Sequence, residues 1–192
     1  KYLDSNGKLI YPLAIGLKIN EALQKKRGLK SLGIKLNEVK MSHPISKNDK
    51  IVFENDTIDE KNMKQMIAEF AILANSYIGE YLSIYFDGRG IFRCCEAENW
   101  LNTLDKDIKG NDLLNKIIDN GIRADYNSDV LSHDLVGKKE YTHFTSPIRR
   151  VSDCICHYLV KHVYLCNNLQ KDSKDINSIT SFPFNEVFLD NI

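Results

Sequence analysis

Long hydrophobic runs are missing from this 192-residue chain. No stretch approaches the ~20 apolar residues that cross a bilayer, and no signal-peptide pattern opens the sequence. A soluble protein without a membrane role is therefore expected. Net charge is missing as well, because 26 basic and 26 acidic side chains cancel. Neutrality excludes a nucleic-acid binder that works through bulk charge and leaves room only for a local basic channel. Cysteine occurs five times, an odd number set mostly in apolar stretches. That usage fits reduced core thiols in a cytoplasmic or otherwise intracellular, reducing compartment. Zinc-knuckle spacing is lacking too. Cys94-Cys95 and Cys154-Ile155-Cys156-His157 have no two-residue gap, and positions two apart on a helix diverge. The nearest carboxylate groupings are Asp59-Glu60 at a predicted helix start and Asp105 and Asp107 around Lys106 in a polar loop. Carboxylates in such places act as caps or solvated charges, so no metal ligands are assigned.

What is present suffices for one domain with a real core, or a large piece of a bigger one. Residues 1–7 read as a strand and turn entered from something upstream, so a fragment of a longer protein is expected. Spacing predicts a helix over residues 13–27, whose basic end Lys25-Lys26-Arg27 complements the dipole before Gly28 stops it. Alternation of Leu32, Ile34 and Leu36 predicts a half-exposed strand at residues 31–37, followed by a polar loop and a short strand at residues 51–53. From Asp59 to about Phe86 the longest helix is expected. Its apolar positions Met63, Met66, Ile67, Phe70, Leu73, Ala74, Tyr77, Ile78, Tyr81 and Leu82 make an extended stripe read as core. Arg89, Phe92, Arg93 and Trp100 then lie close together. Aromatics among arginines can stack single-stranded bases, although a lone Trp more often serves a core. Residues 111–126 are predicted to form another helix, with Gly121 near its end. After Lys171 the chain turns polar and closes with Phe182-Pro183-Phe184.

The most informative stretch runs over residues 141–151: Tyr141, Thr142, His143, Phe144, Thr145, Ser146, Pro147, Ile148, Arg149, Arg150, Val151. Ser146 is a good N-cap and Pro147 suits a first helical position, so a helix is expected to start there. Behind it, Val151, Cys154, Ile155, Tyr158, Leu159, Val163 and Cys166 fall on one face. A helix amino end and two arginines together favour a phosphate. Asp153, four residues beyond Arg149 and three beyond Arg150, can pair with one of them and fix its orientation, and His157 can extend the network.

The string His143-Phe144-Thr145-Ser146-Pro147-Ile148-Arg149-Arg150, followed by Asp153 and His157, closely resembles the signature of the ribonuclease II, or RNB, family. Three further segments extend the resemblance: Arg27-Gly28-Leu29 with Leu32 to Val39, Glu69-Phe70-Ala71-Ile72-Leu73-Ala74-Asn75, and Ala124-Asp125-Tyr126. It departs from the family pattern at Ala68, where many members carry a second acidic residue, and at Val151 and Tyr158. His133 stands near the family's His-x-Gly-Leu, but the Gly is lost. A turn histidine is the plainer reading of it.

The resemblance implies an α+β fold: part of an RNB domain, mostly helical, with long helices packed on a mixed sheet. It covers roughly residues 10–166 and corresponds to the C-terminal portion of that domain. The family's aspartate-cluster half and its OB-type RNA-binding domain are expected to lie outside the chain. The implied activity is 3′ to 5′ hydrolysis of single-stranded RNA with Mg²⁺, whose ligands are not in this chain, so the chain alone is expected to be inactive. Arg149 takes the role of approaching the scissile phosphate. RNA contacts are implied for Arg150, Glu69, Asn75, Tyr141, His143, Thr145 and Ser146, with Asp153 and His157 as structural support. The expected partners are single-stranded RNA and the missing half of the domain, supplied by the same polypeptide or a partner chain. The alternative is a degenerate relative that binds RNA or serves a structural role in an assembly.

Overall fold

The computed structural model describes residues 5–8, 10–27, 39–42, 52–104, 108, 110–169 and 182–184. In chain order these form α1 (Tyr11–Arg27), β1 (Val39–Ser42), β2 (Val52–Asn55), α2 (Ile58–Tyr85), β3 (Arg89–Cys94), α3 (Glu98–Leu101), α4 (Gly110–Asp119), β4 (Asp125–Asp129) and α5 (Val151–Leu169). The α+β, mainly helical architecture expected from the sequence is what is found. Its strands make two antiparallel pairs, β1 with β2 and β3 with β4. Among the described residues no helix is long and apolar enough to cross a membrane.

The chain divides into two compact units. The first contains α1, the β1–β2 pair, α2 as far as Phe70, and α4. The strand expected at residues 51–53 appears as β2, paired from Val52↔Ser42 to Asn55↔Val39. The strand expected at residues 31–37 lies outside the described residues, as do Asp105 and Asp107. Thr57 and Glu60 explain where α2 begins. Glu60 N–H donates to Thr57 Oγ1 at 3.3 Å and Thr57 N–H donates to Glu60 Oε2 at 2.9 Å, a reciprocal capping box. Close approach of α1 to α2 depends on Gly16, where a Cβ would lie 2.6 Å from Met66 Sδ.

The second unit contains α2 from Ala71, then β3, α3, β4 and α5. Leu82, Phe86, Ile91, Ile155, Cys156, Leu159 and Val163 form its core. Phe86 and Phe182 meet edge to face at 5.2 Å, which gives the closing Phe182-Pro183-Phe184 segment its anchor. Two expectations need correction here. The helix read over residues 111–126 ends at Asp119, because Gly121 takes φ +64° and turns the chain into β4. Tyr126 thereby becomes a strand residue paired with Arg93. The buried face of α5 also differs from the predicted stripe: Ile155, Leu159, Val163 and Cys166 are buried, while Val151, Cys154 and Tyr158 are exposed.

Candidate functional site

The α5 helix starts at Val151, not at Ser146. Ser146, Pro147, Ile148 and Arg149 instead make a turn closed by Arg149 N–H to Ser146 O at 3.2 Å. Pro at the second position of such a turn supplies its fixed φ, which is why the Ser-Pro pair does not begin the helix. Asp153 completes the arrangement. Its carboxylate, fully buried, accepts Ser146 N–H at 2.6 Å, Arg150 Nε at 2.6 Å and Arg150 Nη2 at 3.0 Å. One carboxylate thus ties the turn to the first turn of α5 and spends the Arg150 fork in a bidentate pair.

Arg149 is left outward. It is exposed beside Ile148, itself 97% exposed, and among the described residues its side chain has no polar partner. Of the two adjacent arginines, one is braced inward and the other is available to a ligand. Burial raises the Asp153 carboxyl, but the hydrogen bonds from Arg150 and Ser146 outweigh it and hold it below the ordinary carboxylate value.

Asn75 on α2 holds the approach to the turn. Its Nδ2 donates to Tyr141 OH at 3.0 Å and its Oδ1 accepts Phe144 N–H at 3.0 Å. Both ends of this buried amide are therefore occupied by the protein. Gly79 allows the contact, since a Cβ there would lie 2.8 Å from Glu140 O. Thr142, also buried, donates to Ile91 O at 2.5 Å. His157 bonds Phe144 O through Nε2 at 3.0 Å and stacks on the Phe144 ring at 4.0 Å. It supports the stretch through Phe144. Thr145 is exposed and Ser146 half-buried.

His143 meets Tyr126 OH through Nδ1 at 2.6 Å, and Ser152 Oγ donates to the same hydroxyl at 2.9 Å. Arg93, half-buried like Tyr126, lies over the Tyr126 ring at 4.7 Å, so this arginine is paired with an aromatic of its own chain. Sequence reasoning did not assign Tyr126 or Ser152 to the site. The Ala-x-Tyr resemblance was the available signal for the first; the second had none. Gly79 had no signal either.

Glu69 belongs to the first unit. It is 1% exposed, pairs with Arg27 through Nη2, and accepts Arg27 Nε at 3.2 Å. Glu69 is thus a buried carboxylate committed to the arginine of the Arg27-Gly28 segment. Among the described residues no three His, Cys, Asp or Glu side chains converge to hold a metal ion. Mg²⁺, which needs hard oxygen ligands, does not fit the groups described.

Two histidines give a testable pH dependence. Burial lowers both His133 and His143 to about 4, with Arg150 adding to the effect on His143 and Arg93 on His133. Both are neutral in the fold yet protonate near 6.5 once unfolded, so the unfolded chain binds more protons between these values and stability falls with falling pH. At about 1.4 kcal/mol per pH unit per proton, His133 alone accounts for a loss on the order of 3 kcal/mol from pH 6.5 to pH 4. Urea denaturation across that range checks this, and His133→Gln is expected to flatten part of the slope.

Solved structures with a similar fold are exoribonucleases. An active-site mutant of Dss1 exoribonuclease from Candida glabrata matches with TM-score 0.61 and 23% identity over 87% of this chain and 22% of its own. Mycoplasma genitalium RNase R in complex with double-stranded RNA matches with TM-score 0.57 and 17% identity, covering 93% of this chain and 34% of that one. The same enzyme in complex with ribose methylated single-stranded RNA gives 0.55 and 19%, covering 93% and 30%. This chain therefore spans between about a fifth and a third of the length of these relatives. A comparison with curated protein sequences returned no match. Residues 4–165 match the RNB domain, and the chain belongs to the RNB family.

Proposed function

We propose that this chain is the RNA-facing, C-terminal portion of the catalytic domain of an exoribonuclease that removes nucleotides from the 3′ end of single-stranded RNA. The observation that carries the reading is the division of labour at Arg149 and Arg150. A guanidinium with no polar partner among the described residues, on a turn fixed by a buried carboxylate, suits contact with a phosphate. Family membership supports RNA degradation as the activity.

In this reading Arg149 touches the reacting phosphate. Thr145 and Ser146 lie on the accessible side of the same loop, and Arg150 acts through Asp153 as a positioning residue. Asn75 and Tyr141, whose polar groups bond to each other, shape the channel wall. Any Mg²⁺ would have to be held by carboxylates other than those described, in another part of the polypeptide or in a partner chain. It would supply charge stabilisation at the phosphate.

The direct test is to incubate the full-length protein, with Mg²⁺, with a single-stranded RNA labelled at its 5′ end. Stepwise shortening of the labelled strand is the expected result. A protein that binds this strand tightly but never shortens it would instead be the degenerate relative.

A further inference from the structure

We propose that Tyr126 and Ser152 fix the tautomer of His143 so that its Nε2–H donates a hydrogen bond to a backbone oxygen of bound RNA. This rests on the reading of the chain as an RNA-cleaving domain. The three side chains come from three places: Tyr126 from β4, His143 from the loop before α5, and Ser152 from the first turn of α5. They form one chain of contacts, Ser152 Oγ to Tyr126 OH at 2.9 Å and Tyr126 OH to His143 Nδ1 at 2.6 Å.

The direction of the protons follows from chemistry. A phenol is a good donor and a poor acceptor, and a neutral imidazole has one acceptor nitrogen. The opposite order would send the Ser152 proton to Asp153 Oδ2, which is 3.4 Å away and already takes Arg150 Nε at 2.6 Å. A 3.4 Å contact does not compete with one at 2.9 Å. Ser152 therefore donates to Tyr126, Tyr126 donates to Nδ1, and the ring proton resides on Nε2.

His143 is half-buried, and among the described residues no protein group bonds its Nε2. Burial, helped by Arg150, Arg93 and His133 and opposed by the Asp153 carboxylate, keeps the ring uncharged at pH 7. A neutral ring offers one oriented donor and no added charge. The accepting atom is a phosphate oxygen or a ribose 2′-oxygen, both electron-rich atoms of the nucleotide backbone.

The test uses the full-length protein with ¹⁵N-labelled histidine and a short oligoadenylate as probe. Long-range ¹H–¹⁵N spectra at pH 7 should show His143 with a bare Nδ1 and a protonated Nε2, and the Nε2 resonance should move when the probe is added. His143→Leu should weaken binding by about tenfold, whereas His143→Gln, which keeps a donor near Nε2, should stay within about threefold of the parent. Tyr126→Phe should give a mixed tautomer spectrum. Equal loss with oligoadenylate and its 2′-deoxy counterpart assigns the acceptor to phosphate; loss confined to the ribose form assigns it to the 2′-oxygen. An Nδ1–H tautomer in the parent protein, or His143→Leu binding as tightly as the parent, would overturn the inference. A parent protein that binds neither oligonucleotide would instead overturn the functional reading beneath it.

Discussion

Arg149→Ala in the full-length protein should lower turnover of single-stranded RNA by roughly two to three orders of magnitude while changing its binding only a few-fold. The asymmetry follows from where the charge is needed. In the ground state the RNA backbone is held by many contacts, and one exposed cation adds little to affinity. As the phosphate is attacked, charge gathers on its oxygens, and a guanidinium already in place gains most at that moment. The turn supplies the placement: Ser146 N–H and Arg150 are both held by Asp153, so the loop carrying Arg149 is fixed before substrate arrives. Arg149→Lys should recover only part of the rate, because an ammonium is a point charge without the planar fork. Single-turnover rates and equilibrium binding, measured side by side, separate the two effects. Parallel loss of rate and affinity would place Arg149 in ordinary RNA binding.

Why the sequence pointed to this loop, yet misplaced its helix, has a physical explanation. The residues from His143 to Arg150 identify a family because their order is specific, whereas hydrophobic periodicity reports only that some face is buried. Helix α2 makes the point. The residues it buries in the second unit include Asn75, Ser76 and Leu82, while Leu73 is 46% and Tyr77 66% exposed. A stripe count cannot choose the inward face when polar side chains are buried to hold a loop. The start of α5 repeats the inversion, with Ser152 and Asp153 buried and Val151 exposed. Local consistency between pattern and burial fails where α2 and α5 hold the Arg149 turn. The bounds of α1, α2 and β2, by contrast, fall within two residues of those predicted.

Asp153→Ala should be the most destabilising single change in the loop, at about 3 to 5 kcal/mol. Removing the carboxylate strands three groups at once: Ser146 N–H and both Arg150 donors. Arg150 keeps a side chain only 22% exposed, so water cannot fully replace its partner. The cost comes chiefly from an uncompensated charge, not from the worth of the pair itself. Asp153→Leu combined with Arg150→Met should therefore recover part of the stability lost by either single change. It should not recover turnover, because nothing then ties Ser146 to α5. The pH dependence separates this group from the histidines. A carboxyl held below its ordinary value contributes stability above the unfolded value near 3.9, and that contribution is lost as pH falls through the lower folded value. The parent protein should thus weaken in two acid phases, the histidines between pH 6.5 and 4 and Asp153 below that. Asp153→Asn should shrink the second phase and leave the His133 part of the first. If Asp153→Ala leaves the urea midpoint where it is in the parent, the carboxylate is not what fixes the turn, and the pre-organised placement of Arg149 loses its basis.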